Sequence, residues 1–305
     1  MKYLALIWIR IAGVLILAAC LILGIATIRP KEGRYDTGLS REKFWLLKLE
    51  AKPDYDLVLT GDSRVLCDLD PTSIENELHG LKVLNYGFNY VGLSPEYLKA
   101  AVLKLNPRSA FRTILIGVTP RALTPLNAQV SGYLEESRRT RTERMLNWNL
   151  NTLNIVTRTI SLSATAARII GGQTSYKDYF PNGYMAVALH PADPNADLKV
   201  YQRVFLQNQV SSEITESLLL KIREMTQSGI RVIGIRLPMA PGIFRCEEQL
   251  SGFLEGEFAR KFEQNGGIWL KMPAGAYVFC DGSHFEVESA RFYSRQLALQ
   301  ISGAR

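Results

Sequence analysis

Two short segments far apart in the chain hold residue types that can together make or break an ester. A serine hydroxyl is a poor nucleophile until a base accepts its proton, and that base needs an acid to fix its tautomer and steady the imidazolium. Gly61-Asp62-Ser63 directly follows the apolar run 56–60, which presents Ser63 at the carboxyl end of a strand. A tight turn there exposes the hydroxyl and aims backbone N–H groups at a developing oxyanion. Asp281-Gly282-Ser283-His284 lies just before the last helical stretch, and an Asp-x-x-His turn supplies both acid and base from one loop. The chain has 3 histidines, so the choice of base is narrow. His79 ends a short helix, where it suits the helix dipole. His190 precedes Pro191 in an irregular stretch, as a loop residue or a substrate contact. The catalytic set read from the residues is therefore Ser63, Asp281 and His284.

Other chemistries find less support. There is no Gly-x-x-x-x-Gly-Lys phosphate loop, no Gly-x-Gly-x-x-Gly after a strand, and no Cys or His pair at metal-ligand spacing. No cofactor and no metal are expected. Cys67 reads as a small core thiol, since no histidine is placed to serve it. Cys246 and Cys280 fall in segments read as loops after strands, as a disulfide or as two buried thiols. The net charge of +7 has one local concentration, Arg138, Arg139, Arg141 and Arg144, interrupted by Glu135, Glu136 and Glu143. That mixture fits a solvated helix face, or contact with anionic lipid or acidic polysaccharide, and not a nucleic-acid stripe. Tyr176, Tyr179, Phe180 and Tyr184 form an aromatic group, read either as packing or as a sugar-stacking surface.

The positioning elements are legible as alternating strands and helices. Residues 11–28 carry no charge and are long enough to cross a hydrocarbon layer. They run directly into Arg29-Pro30-Lys31 without a small-residue cleavage site, so residues 1–30 read as an uncleaved signal anchor. Leu17-Ala18-Ala19-Cys20 resembles a lipobox, but the apolar run continues past Cys20. Flanking charge does not set the orientation. A juxtamembrane segment, 31–52, leads to a domain over 53–305. Strands are expected at 56–60, 82–86, 113–118, 231–236 and 267–270, with helices at 73–78, 94–105, 212–228, 247–264 and 286–301, which implies a parallel sheet covered on both faces. An insertion at 123–209 is mostly helical over 135–167 and turn-rich over 171–197.

Gly61-Asp62-Ser63 after the first strand, Asn85-Tyr86-Gly87 after the second, and Asp281-x-x-His284 near the end resemble the SGNH/GDSL hydrolase superfamily. The resemblance implies a flavodoxin-like three-layer α/β/α sandwich in which Ser63, Asp281 and His284 form the triad. It also implies that the N–H groups of Ser63 and Gly87 form the oxyanion hole. The family's third block, Gly-x-Asn-Asp, is replaced by Gly117-Val118-Thr119-Pro120, which leaves Asn89 or Thr119 as a further donor. Arg64 and Arg121 are then the candidate substrate contacts. Gly-x-Ser-Arg is similar to a membrane-anchored branch that includes alginate O-acetylation and teichoic-acid D-alanylation proteins. The expectation is a serine esterase or O-acyltransferase acting on a carbohydrate ester of the cell surface or a secreted polysaccharide. It is held by residues 11–28 in the inner or cytoplasmic membrane, with its catalytic domain outside the cytoplasm, beside a polytopic membrane acyltransferase. A catalytically silent assembly or glycan-binding protein is the alternative.

Overall fold

The computed structural model describes residues 2–28, 37, 39–140, 142–143, 174–271 and 275–303. Three strands precede the insertion: β1 (Leu57–Gly61), β2 (Val83–Asn85) and β3 (Thr113–Gly117). The insertion contributes an antiparallel hairpin of β4 (Thr174–Tyr179) and β5 (Met185–His190). β6 (Arg231–Ile235) and β7 (Ile268–Leu270) follow it. The main sheet has the order β2-β1-β3-β6-β7, and every pairing in it is parallel. Counting only its own strands, this is the 2-1-3-4-5 order of flavodoxin-like doubly wound sheets, whose switch point lies between β1 and β3.

Burial on both faces explains why these strands are continuous apolar runs and not alternating ones. Val58, Leu84, Ile114, Ile116 and Val232 face one layer, and Leu57, Leu59, Val83, Leu115, Ile233 and Ile235 face the other. The first layer is made by α2 (Arg41–Leu49), α5 (Pro95–Val102), α9 (Ser212–Gln227) and α11 (Glu255–Gln264), through Trp45, Leu98, Ile222 and Phe262. The second is made by α4 (Pro71–Glu77) and α12 (Val287–Gly303), through Ile74, Tyr293 and Leu297. Each such side chain contributes roughly 1.5–3 kcal/mol by leaving water. Segment 31–52 thus contributes α2 to the core, with Phe44 and Trp45 buried.

The helix expected over 247–264 is two helices, α10 (Pro241–Leu250) and α11. Gly252 takes a positive φ of 75° between them, and the buried Ser251 hydroxyl accepts the Phe253 N–H at 3.1 Å. That local hydrogen bond competes with helix continuation. Within the stretch read as turn-rich over 171–197, the described residues 174–197 are more ordered than expected. They include the β4–β5 hairpin, which turns through Gly183 at φ 84°, and the N–H of Asn85 in β2 donates to the Asn182 carbonyl at 2.9 Å. Other described parts of the insertion are α6 (Pro125–Gln129), α7 (Gly132–Arg138) and α8 (Leu198–Gln207), and α8 packs Tyr201 and Phe205 against Ile243 of α10. Most of the helical reading of 135–167 lies outside the described residues, as do Arg141 and Arg144.

Lys2–Ile28 forms a single helix, α1, whose described side chains are Tyr3 and those of 7–21. Among the described residues no helix is long and apolar enough to cross a membrane. Cys20 is exposed on α1, and Cys67, Cys246 and Cys280 are buried free thiols, so no Cys246–Cys280 disulfide forms. Cys246 sits within α10 and not in a loop after a strand.

Candidate active site

Ser63 opens a short helix, α3 (Ser63–Asp68), immediately beyond β1. Asp62 caps it, accepting the Arg64 N–H at 3.0 Å and the Thr119 hydroxyl at 2.6 Å. Val65 fills the notch between the ends of β1 and β3. A Cβ on Gly61 would lie 2.4 Å from Val65 Cγ2, and one on Gly117 would lie 2.2 Å from it. This close packing of glycine ends against α3 brings Ser63 to the carboxyl edge at the switch point, half-buried. As the first residue of the helix, Ser63 has an N–H with no intrahelical acceptor.

The Asp281–His284 turn is built around one carboxylate. Asp281 Oδ1 accepts the N–H groups of Ser283 at 2.9 Å and His284 at 2.8 Å, and Oδ2 lies 2.7 Å from His284 Nδ1. Gly282 holds φ at 95°, and a Cβ there would meet the Pro194 carbonyl at 2.1 Å. Asp197 of the insertion receives the Ser283 hydroxyl at 2.7 Å. Burial pushes the Asp281 carboxyl up, but the His284 charge and the hydrogen bonds outweigh it and hold the group at about 2. Burial lowers His284, but Asp281, with help from Asp68 and Asp197, overrides this and raises it to about 9. An ionised Asp281 accepts a hydrogen bond from Nδ1–H, which keeps the proton on Nδ1 and assigns Nε2 as the basic atom. Nε2 is buried and has no hydrogen-bond partner among the described residues.

The two halves are joined through α3. Asp68, at its far end, accepts the Phe285 N–H at 2.8 Å. Ser63 and Asp68 are separated by only about 7.5 Å of helix rise. Burial raises Asp68 to about 8, partly countered by His284. The turn therefore docks on the helix that Ser63 begins. No hydrogen bond joins Ser63 Oγ to His284 Nε2 among the described residues.

The oxyanion side departs from expectation. The Gly87 N–H donates to Asn85 Oδ1 at 3.0 Å, while Asn85 Nδ2 donates to the Val65 carbonyl at 2.7 Å and the Leu69 carbonyl at 2.8 Å. Asn85 thus satisfies the end of α3 and takes up the Gly87 donor. The Gly87 carbonyl accepts from Lys48 Nζ at 2.6 Å. Lys48 is 1% exposed among Phe44, Trp45 and Phe88, and burial lowers its pKa well below the usual lysine range. The Thr119 hydroxyl has its single proton on Asp62. Of the expected donors, Ser63 N–H and the half-buried Asn89 amide stay uncommitted among the described residues.

Arg64 does not face substrate. It is fully buried, paired with Glu247 of α10, and bonded to the Tyr201 hydroxyl at 3.1 Å. Arg121 is half-buried on the turn after β3. His79 is exposed beyond α4, and His190 is exposed on β5 against Tyr176, so neither joins Ser63. Burial pushes the Cys67 thiol well above the ordinary range, which makes it inert. The aromatic group divides: Tyr184 is buried against Phe180, Tyr179 packs on Phe44, and Tyr176 meets His190. Arg139 pairs with Glu135 and Glu136. Asp68 and Asp197 escaped the sequence reading because their roles depend on long-range contacts. Asp197, Asp281 and His284 bring ligand atoms within 4.8 Å of one another, but hydrogen bonds through Ser283 and Nδ1 already join them. A cavity of about 640 Å³ at the carboxyl ends of β6 and β7 is lined by Leu237, Met239, Phe244, Tyr277 and Phe279 among others, and by neither Ser63 nor His284.

Fold and site define a doubly wound α/β protein with a serine turn and an Asp–His turn docked on one short helix. No family model and no curated protein matches the sequence. Among solved structures, the chain is similar to Est24, a carbohydrate acetylesterase from Sinorhizobium meliloti, at 11% identity and TM-score 0.40, covering 82% of this chain and 99% of that one. It is also similar to the inhibitor-bound aryl esterase of M. smegmatis, at 14% identity and TM-score 0.36, covering 81% of this chain and 98% of that one.

Proposed function

We propose that this chain is an SGNH-type serine acyl-ester enzyme in which Ser63 is the nucleophile, His284 the general base and Asp281 its orienting acid. The observation that carries the reading is the Asp281–His284 pair at 2.7 Å, which leaves a buried Nε2 unpartnered on a turn docked against the helix of Ser63. In the reaction, Nε2 takes the Ser63 proton as Oγ attacks the acyl carbon, and the Ser63 N–H and Asn89 amide receive the developing oxyanion. His284 then protonates the leaving alcohol. In the second half a water or a carbohydrate hydroxyl, deprotonated by Nε2, attacks the serine ester, and His284 returns that proton to Oγ as the acyl–oxygen bond breaks and Ser63 is freed. Hydrolysis and O-acyl transfer differ only in that second nucleophile. The proposed setting is the membrane surface, with 11–28 as anchor and a cell-surface or secreted polysaccharide as acceptor or substrate. The apolar run and the resemblance support it, since tethering raises effective concentration.

The silent assembly or glycan-binding reading draws support from the committed Gly87 N–H and Thr119 hydroxyl. One experiment separates the two. The enzyme shows burst release from an activated ester and labelling by a fluorophosphonate; Ser63→Ala abolishes both and His284→Ala abolishes labelling. A folded wild-type protein that neither bursts nor labels refutes the enzyme reading.

A further inference from the structure

Ser63, Tyr90 and Arg121 follow β1, β2 and β3 respectively, so three neighbouring strands deliver them to one edge of the sheet. Arg121 lies on the 3-10 turn Pro120–Leu123 with its guanidinium carbon 4.7 Å from the Tyr90 ring centre and 5.7 Å from that of Tyr201. The stack adjoins the nucleophile turn twice. Tyr201 bonds Arg64, the residue after Ser63, and Thr119, two places before Arg121, bonds Asp62, the residue before it.

The electrostatics of this arginine set it apart. Among the described residues no carboxylate lies within 4.0 Å of it, whereas Arg64 and Arg236 at the same end of the sheet pair with Glu247. Its Nε is buried with no hydrogen-bond partner among the described residues. Tyr90 is 54% exposed and keeps a φ of 51°, a conformation that a tyrosine adopts only at a cost. Tyr90 and Tyr201 both lie within cation–π reach of the guanidinium, and with Nε covered the paired hydrogen bonds a carboxylate accepts fall to its two terminal nitrogens.

We infer that Arg121, held by Tyr90 and Tyr201, is a subsite for a carboxylate of the ester substrate. This rests on the acyl-ester reading of the neighbouring site, and it adds that the preferred substrate is an anion. The carboxylate belongs either to the acyl group or to the alcohol.

The test uses four esters: 4-nitrophenyl hydrogen succinate and the acetyl ester of 4-hydroxybenzoate, each beside its methyl-esterified neutral counterpart. One anionic ester should exceed its counterpart about tenfold or more in kcat/KM, as a charge-assisted pair allows. Which one does so identifies the side that carries the charge. Arg121→Gln brings the ratio near one, chiefly through KM, and Arg121→Lys retains part of it. A ratio near one in the wild type, or a ratio unchanged in Arg121→Gln, overturns the subsite. Failure to turn over any ester refutes the enzyme reading separately. Calorimetry with benzoate then decides the subsite, since binding that Arg121→Gln removes supports it, and absent or unchanged binding overturns it.

Discussion

The base side and the oxyanion side of the site use the same kinds of short hydrogen bond to opposite ends. At residues 281–284 the Ser283 and His284 N–H groups and the His284 ring all bond Asp281, and Nε2 is left open. At residues 85–87 and 119 the donors turn inward, holding α3 and Asp62 in place. One side leaves a ring nitrogen open, whereas the other spends most of its donors on the shape of the serine turn. Strong polar geometry near a serine turn is therefore not itself evidence of catalysis; what matters is which atom each network leaves free.

The largest expected effect falls on the base side. Asp281→Asn keeps the size of the side chain but presents the wrong group to Nδ1, so kcat should fall by about 10⁴-fold, the scale known for such a change in a serine triad. A loss under tenfold would remove the distinction between the two sides. The pH profile sharpens it. Because His284 must be neutral to act and its pKa is raised to about 9, kcat/KM should climb about fiftyfold from pH 7 to 9 and level only about one unit higher. The same group stabilises the fold fully below its ordinary value of 6.5, and that contribution is lost as pH rises through 9, so the urea midpoint should drift down over that window. A flat profile contradicts the assignment of His284 as base. The smallest effect is on the other side. Asn85→Ala strips the Val65 and Leu69 carbonyls of a donor and should cost about 2–3 kcal/mol in urea unfolding. Because it also frees the Gly87 N–H, turnover that rose in this variant would show that donor to be held in reserve.

The sheet was readable because parallel strands buried on both faces are short apolar runs closed by glycine, and Gly61 and Gly117 end β1 and β3. The Asp281–His284 turn was readable because its geometry is local. What escaped was set at long range. Nothing near Gly87 announces that Asn85 reaches α3, and nothing near Arg64 announces Glu247 on α10. The single helix read over 247–264 failed at Ser251-Gly252, where a side-chain bond outcompeted a pattern apolar enough to continue. The hairpin was missed because β4 is largely polar and gains its order only from pairing with β5.

The hydrogen bond from Asn85 to the Asn182 carbonyl also bears on solubility. β2 is the outermost strand on its side, and an open strand margin is a template on which a second chain can add itself. The hairpin tip occupies that margin from within the same molecule. A chain without the hairpin tip should therefore clump more readily than the intact one, which light scattering would read.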